Sequence, residues 1–179
     1  VREMFWLLSH DAGTREERIE AFLALVKEGN TEWRIARLKG LDLGGLDFEG
    51  ADLTDAILDN CKLVDANLKQ AILVRVGLEA ADLSGADLEG SNMRESWLLR
   101  GSLVGANLVG VDLVGASLQQ VLAGGADFSN AMLAETDMLL ADLSGATLTG
   151  ADLTGANMEA ALLEGANLEG ADFSGCGLL

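Results

Sequence analysis

The residues of this 179-residue chain that could do chemistry are 29 Asp and Glu, one His and two Cys. Acid–base, nucleophilic and metal chemistry all need several such groups converging in one pocket. His10 has no nucleophile or metal partner at a recognisable spacing, and the carboxylates are spread evenly rather than clustered. Evenly spaced surface carboxylates do not make a pocket that shifts a pKa. The sequence therefore predicts no catalytic residue, no cofactor and no metal site, and a protein that is not an enzyme.

The charge of the chain is strongly negative and unevenly placed. Lys and Arg number 12, which gives a formal net charge of −17. The segment up to Gly40 is neutral overall, and no Lys or Arg follows Arg100. This balance argues against direct nucleic-acid binding and against an anionic membrane surface, both of which need clustered basic residues. No stretch is long and apolar enough for a membrane span or a secretory signal, so we expect a cytoplasmic protein.

A five-residue period positions everything else in the sequence. Every fifth residue from Leu38 to Leu178 is large and apolar in 28 of 29 positions, the exception being Ala123. Two residues before each lies a second series, from Ala36 to Cys176, that is mostly Ala. This period fits neither a helix nor a flat strand, because both would scatter the Leu side chains over several sides. The chain must therefore turn once per unit, with both series pointing inward.

The unit, A-(D/N)-L-x-G, resembles the repeat of the pentapeptide-repeat family, and the resemblance covers residues 36–178. It implies an all-β solenoid: a right-handed quadrilateral parallel β-helix with four units per coil. Here that gives about seven coils stacked ~4.8 Å apart. Gly at the fifth position fits a turn that needs a positive φ, and the absence of Pro fits a backbone in which every N–H is bonded.

The segment 1–37 lacks the period and is predicted to form an α-helical cap on the first coil, with the β-helix spanning 38–179. Thr14 and Glu17 form a capping-box signature, and the apolar spacing that follows predicts a helix over 15–28. We also expect a short helix over 31–37, with Thr31 as its N-cap and Trp33 buried, and a weaker one over 2–9. A cap would cover the open end of the solenoid.

The far end and the two thiols give two further expectations. Family resemblance implies pairing of C-terminal ends, so we expect a two-fold homodimer through Phe173, Leu178 and Leu179; the alternative is a truncated longer array. Cys61 and Cys176 both fall in the small inward series, nearly six coils apart, so ~28 Å separates them. That distance excludes a disulfide, which predicts two free, buried thiols.

Outward apolar residues collect on one predicted side of the column. This candidate interaction patch consists of Ile57, Trp97, Leu99, Leu139 and Leu140, and Val104, Val109 and Val114 continue around one coil from Leu99. A clustered patch with a central Trp is typical of a protein-binding surface, although Val also fills outward strand positions for its β-propensity. The repeat is locally broken at Ala123, where Leu122 is expected either to rotate inward or to leave a dent.

The stretch after Arg100 holds ten Asp and Glu without a basic residue, about one charge per 1.9 Å of column against one per 1.7 Å in B-DNA. The first hypothesis is a non-enzymatic protein-interaction or scaffold module with an unidentified protein partner. The alternative, implied by the resemblance, is a DNA-mimic inhibitor or protector of DNA gyrase or topoisomerase IV. Acidity also comes with the repeat, so it need not be functional. The candidate acidic surface consists of Asp112, Asp127, Asp137, Asp142, Asp152, Glu159, Glu164, Glu169 and Asp172.

Overall fold

The computed structural model describes residues 13–27 and 33–177 of the chain. One α-helix, α1, spans Arg15–Lys27, close to the 15–28 predicted from the sequence. Its first turn carries the expected capping box, in which Glu17 N donates to Thr14 Oγ1 at 3.2 Å and Thr14 N donates to Glu17 Oε2 at 2.7 Å. These reciprocal bonds satisfy two backbone donors that a helix N-terminus leaves free. The helix predicted over 2–9 and His10 lie outside the described residues.

Residues 33–177 form a parallel β-helix built from isolated β-bridges, one at every fifth residue from 37 to 177. All 25 bridges are parallel, and each pairs residues 20 apart, from Arg37 with Ile57 to Asn157 with Gly177. Four five-residue units therefore complete one coil, and the bridging residues stack in four ladders. We call the middle residue of each A-(D/N)-L segment the bridge position, because this residue forms the β-bridges to the neighbouring coils. Its side chain points outward from one of the four ladders.

The same four hydrogen bonds recur in successive units and fix the coil. At Leu38, the backbone N–H donates to the Ile57 carbonyl in the next coil at 2.8 Å, while Ile57 N donates back to the Ala36 carbonyl at 2.8 Å. Gly40 N donates to Asp59 O at 2.9 Å, and Leu41 N closes the turn onto Leu38 O at 3.1 Å. Three bonds of each unit thus connect coils and one closes the corner.

The fifth residue of every unit, from Ile35 to Gly175, has a positive φ between 52° and 73°. A positive φ at the third residue of a four-residue turn fits a type II turn, for which Gly has no steric cost. Gly fills 15 of these 29 positions, and other residues, such as Ala80 and Leu140, fill the remaining 14. The corner geometry is therefore imposed by the stack of coils, even where the side chain disfavours it.

The core is the stack of inward large and small residues, which form one continuous cluster. Ala123 stays in the large slot and is fully buried, and so are Phe128 and Val121 in the same coil. Leu122 remains outward and 52% exposed, bridging Ser102 and Asp142, so of the two expected alternatives the inward rotation is wrong. An outward Leu122 keeps the ladder in register, and the larger Phe128 and Val121 supply volume that Ala123 lacks.

Helix α1 packs on the first coil through Phe22, which is fully buried. The Phe22 ring centroid lies 4.7 Å from that of Trp33 and 5.6 Å from that of Phe48. The helix predicted over 31–37 is wrong for 33–37, where the chain already makes a repeat unit and Arg37 bridges Ile57. Trp33 lies one unit before Leu38 and fills the large slot of that unit, buried to 2% exposure. The structure confirms the burial of Trp33 and corrects its structural setting.

Candidate interaction surface

Asp and Asn occupy 16 of the 29 bridge positions, and each of them accepts a hydrogen bond from the backbone N–H two residues later. Asp142 Oδ1, for example, accepts from Ser144 N at 3.0 Å. This N–H is the one donor of the unit that neither the ladders nor the turn bond use, so the side chain completes the backbone hydrogen bonding. The residues are Asp42, Asp47, Asp52, Asn67, Asp82, Asp87, Asn92, Asn107, Asp112, Asp127, Asp137, Asp142, Asp152, Asn157, Asn167 and Asp172.

Ion pairs connect neighbouring coils in the first half of the column. Arg75 donates twice to Asp55, at 2.7 and 2.9 Å, and this pair lowers the pKa of the Asp55 carboxyl. Lys69 lies 2.9 Å from Glu89 and 3.2 Å from Asp87, and hydrogen bonds to these two carboxylates raise the pKa of Lys69. Such pairs offset the stacking of like charges where basic residues are present. No Lys or Arg follows Arg100, so the second half of the column supplies no basic residue of its own for such pairs.

Trp97 breaks the polar pattern of the bridge positions. Its ladder neighbours are Gly77 in the coil before and Ser117 in the coil after, and its side chain is 53% exposed. Unlike Asp or Asn, an indole cannot accept a backbone N–H through an oxygen, so Trp97 does not make the bond that completes the unit. Packing in the core does not explain a Trp at this position either, because half of the surface of Trp97 faces solvent.

A groove of about 430 Å³ lies beside Trp97. We call it the Trp97 notch; its lining residues are Asp55, Ala56, Ile57, Asp59, Arg75, Gly77, Glu79 and Trp97. Along the ladder, Ile57 lies one coil to one side of Gly77 and Trp97 one coil to the other. Gly77 has no positive φ, so the turn geometry does not demand Gly there. The missing side chain of Gly77 leaves the space between Ile57 and Trp97 open.

Asp59 points over the floor of the Trp97 notch. A Cβ at position 77 would lie 3.0 Å from Asp59 Oδ1, and the same oxygen accepts the Glu79 N–H at 3.1 Å. Asp59 therefore supplies from the neighbouring coil the bond that a bridge-position Asp or Asn at 77 would have made. Its side chain is only 21% exposed, and its nearest cation, Lys39, is 3.9 Å away. Neither Asp59 nor Gly77 is predicted from the sequence, although Gly at a bridge position away from the chain end is a usable signal.

The structure divides the predicted apolar patch into two parts. Ile57 and Trp97 line the Trp97 notch together, and Leu99 follows Trp97 at the next corner, partly buried. Leu139 and Leu140 lie two coils further along, Leu139 partly buried and Leu140 51% exposed. Between the two parts, Gln119 donates a hydrogen bond to Asp137. Of the three predicted Val residues, Val104 is exposed while Val109 and Val114 are partly buried.

Comparison with known protein families identifies the repeat. A sequence model for pentapeptide repeats matches in eight copies, over residues 36–70, 61–98, 71–108, 81–122, 112–150 and 141–178. The chain belongs to the pentapeptide-repeat family. A comparison with curated protein sequences finds no match.

Several solved pentapeptide-repeat structures are similar to this chain. QnrB1, described as a plasmid-mediated fluoroquinolone resistance protein, shares 22% identity over 80% of this chain and 89% of its own, with a TM-score of 0.40. HetL of the cyanobacterium Nostoc sp. strain PCC 7120, described as involved in heterocyst differentiation regulation, shares 27% over 89% and 96%, with a TM-score of 0.31. Rfr23 of the cyanobacterium Cyanothece 51142 shares 33% over 57% and 64%, with a TM-score of 0.32.

The predicted acidic residues surround this pentapeptide-repeat column. The six Asp of the candidate acidic surface lie at bridge positions of all four ladders, and Glu159, Glu164 and Glu169 occupy three successive corners of one coil. Hydrogen bonds from the Ser144 hydroxyl and N–H lower the pKa of Asp142, and Ser174 does the same for Asp172. All six Asp bond to the backbone, so much of this acidity has a structural cause within the repeat.

The predicted dimer end is only partly within the described residues. Phe173 is partly buried and packs against the core of the last described coil, whereas Leu178 and Leu179 lie outside the described residues. The homodimer stays a prediction.

Both thiols are free, and their environments differ. Cys61 is buried, its Sγ donates to Leu38 O at 2.9 Å, and desolvation raises its pKa to about 11. Cys176 is only partly buried, which corrects the expectation of two buried thiols, and desolvation raises its pKa as well. The small inward slot at Cys176, in the last described coil, is less covered than the same slot at Cys61.

Within the described residues, no group of three or more His, Cys, Asp and Glu side chains is placed to hold a metal ion.

No helix in the described part of the chain is long and apolar enough to cross a membrane.

Proposed function

We propose that this pentapeptide-repeat protein is a non-enzymatic, cytoplasmic interaction module that binds a protein partner through the surface around Trp97. In this proposal the column is a right-handed, quadrilateral β-helix of about seven coils, and α1 caps its first coil. The column serves as a rigid support, because its inter-coil hydrogen bonds recur in unit after unit. Recognition is carried by side chains that the repeat does not need.

The single observation that carries this proposal is the exposure of Trp97 at a position where the repeat favours Asp or Asn. Sixteen of 29 bridge positions hold Asp or Asn, each bonded to the backbone, whereas Trp97 leaves the bond unmade and half of its side chain in solvent. Trp is enriched among residues that dominate the energy of protein–protein binding, and its role there depends on becoming buried in the complex.

The test replaces Trp97 by the residue that the repeat itself prefers. Trp97→Asn should fold at least as well as the native chain, because the introduced amide oxygen can accept the Leu99 N–H. Leu162→Asn is the matched control, since Leu162 is a bridge residue exposed to 58% on another ladder. Proteins captured from the source cells by the native chain should be lost with Trp97→Asn and kept with Leu162→Asn, and the captured protein, once purified, should show the same dependence. Equal binding by both variants would refute the proposal.

The alternative, a DNA mimic acting on gyrase or topoisomerase IV, is favoured by one observation, the run of ten carboxylates after Arg100 in a stretch without Lys or Arg. In the described structure one of the ten, Asp112, pairs with Arg94 of the neighbouring coil at 3.2 Å. Six of these ten are bridge-position Asp that bond to the backbone, and they face all four sides of the column. A supercoiling assay with purified gyrase and topoisomerase IV tests this alternative. Inhibition or protection at micromolar protein would support it, and no effect would remove it.

A further inference from the structure

The Trp97 notch has features that the interaction surface as a whole does not need. We propose that it receives one basic side chain, the guanidinium or ammonium group of an Arg or Lys on the protein partner. This inference rests on the proposed function, because it names the chemistry of the partner group that the surface around Trp97 would bind.

The shape of the Trp97 notch suits a long side chain. Gly77 lies on the ladder between Ile57 and Trp97 and removes the side chain that would otherwise separate them. The resulting volume of about 430 Å³ is larger than one long side chain needs, and it is open to solvent on the outer side of the column. The aliphatic stem of an Arg or Lys would lie against Ile57, since such stems pack on apolar surface while the charged end stays polar.

The lining of the Trp97 notch is mostly acidic. Three carboxylates, of Asp55, Asp59 and Glu79, line the notch against one cation, Arg75. Arg75 is held by Asp55 through two hydrogen bonds, and Arg100 pairs with Glu79 from outside the lining. Asp59 remains over the floor, with only the exposed Lys39 nearby, at 3.9 Å. The formal net charge of −17 adds a long-range attraction for cationic groups.

The indole ring of Trp97 forms the aromatic end of the notch. An indole ring attracts a cation that lies over its face, and Trp is the most effective aromatic side chain for this contact. A cation in the notch would lie between the Asp59 carboxylate and Trp97, so both would act on the same group. A neutral apolar side chain would cover Trp97 equally well but would take water from the Asp59 carboxylate and leave it only the Glu79 N–H and the exposed Lys39 as partners, which is costly.

The test uses short peptides and the indole N–H signal of Trp97 in two-dimensional NMR, assigned by its loss in Trp97→Asn. An acetylated, amidated Gly-Gly-Arg-Gly-Gly peptide should shift this signal, and the citrulline peptide, which has the same shape without the charge, should not. Asp59→Asn should weaken the Arg peptide about tenfold, in line with a lost charged hydrogen bond. Gly77→Asn should abolish binding by filling the notch while restoring the usual repeat residue.

Asp142→Asn is the control for net charge, because it removes one carboxylate from another ladder and should leave the Arg peptide bound as before. Equal shifts with the Arg and citrulline peptides, or equal weakening by Asp59→Asn and Asp142→Asn, would overturn the proposal. If the partner captured through Trp97 binds Asp59→Asn and Gly77→Asn normally, the notch proposal fails while the interaction surface stands. If capture does not depend on Trp97 at all, the proposed function itself fails.

Discussion

Two neighbouring alanines, Ala80 and Ala81, should respond in opposite directions to the same substitution. Ala80 is the fifth residue of its unit, is exposed and has a φ of 54°. Ala81 begins the next unit, points into the core at 1% exposure and is not among the residues with positive φ. We predict that Ala80→Gly stabilises the protein and that Ala81→Gly destabilises it.

The magnitudes follow from the backbone and from burial. An L-residue in the left-handed region costs roughly 1–2 kcal/mol, which Gly does not incur. Gly loses about 0.5–1 kcal/mol more conformational entropy on folding than Ala. Ala80→Gly should therefore raise the free energy of unfolding by about 0.5–1 kcal/mol. Ala81→Gly has the same entropy cost without relief of strain and removes a buried methyl worth about 0.8 kcal/mol, so it should lower the free energy by about 1.5 kcal/mol or more.

Urea unfolding followed by circular dichroism measures both variants beside the native chain. With a slope of about 1–3 kcal/mol per M, the two midpoints should move apart by several tenths of a molar or more, one up and one down. Ala160→Gly, at the same corner four coils along with a φ of 54°, repeats the first change at an independent site. If Ala80→Gly lowers the midpoint as much as Ala81→Gly does, the assignment of the fifth residue to a strained corner is wrong.

Three further predictions concern the core and the far end. Desolvation raises the pKa of Cys61 from 9.0 to about 11, so stability present below pH 9 should fall by about 2 kcal/mol between pH 9 and 11, and unfolding titrations of Cys61→Ala should lack this loss. Ser96→Ala should raise the free energy of unfolding by about 1 kcal/mol in urea titrations, because the buried Ser96 hydroxyl has no hydrogen-bond partner in the described structure. Phe173→Glu should convert the predicted homodimer to a monomer in sedimentation equilibrium; a native chain that already sediments as a monomer would contradict the dimer.

The column could be predicted from the sequence because its signal repeats in 29 units. One residue type at a fixed spacing, from Leu38 onward, is enough to predict a turn at every unit and two inward series. The capping box at Thr14 and Glu17 is equally local, since both of its bonds lie within the first turn of the helix. In each case the residues that carry the signal are the ones that make the contacts.

The wrong predictions come from reading the period one unit at a time. Starting the series at Leu38 places Trp33 in a helix, although its spacing of five from Leu38 already fits a large slot. The alternative in which Leu122 rotates inward assumes that each unit must fill its own large slot. The structure instead keeps Ala123 inward and places Phe128 and Val121 in the same coil. Volume is shared among the units of a coil, and a unit-by-unit comparison does not capture this.

The Trp97 notch is only half predictable from the sequence. Trp97 stands out because its type departs from the repeat. Asp59 and Gly77 are distant in the sequence, and they meet only because one coil brings Gly77 onto the ladder beside Ile57. The backbone role of the bridge-position Asp and Asn also emerges only from the structure. This role gives the bridge-position Asp residues a structural cause. A count of charges alone does not show whether those carboxylates serve the fold or a binding function.

The assignment of residues to the surface around Trp97 depends on one regularity of the fold. Residues four repeat units apart lie one coil apart on the same ladder or corner. Distances between paired nitroxide labels test this most directly, with Cys61 and Cys176 first replaced by Ala. Labels at Ser84 and Ser144 should lie about 14 Å apart along the column, and labels at Ser84 and Glu164 about 19 Å, an increase of ~4.8 Å per coil plus a constant offset for the label arms. Distances that do not increase by one coil spacing for every four repeat units would contradict the β-helix and, with it, the Trp97 surface.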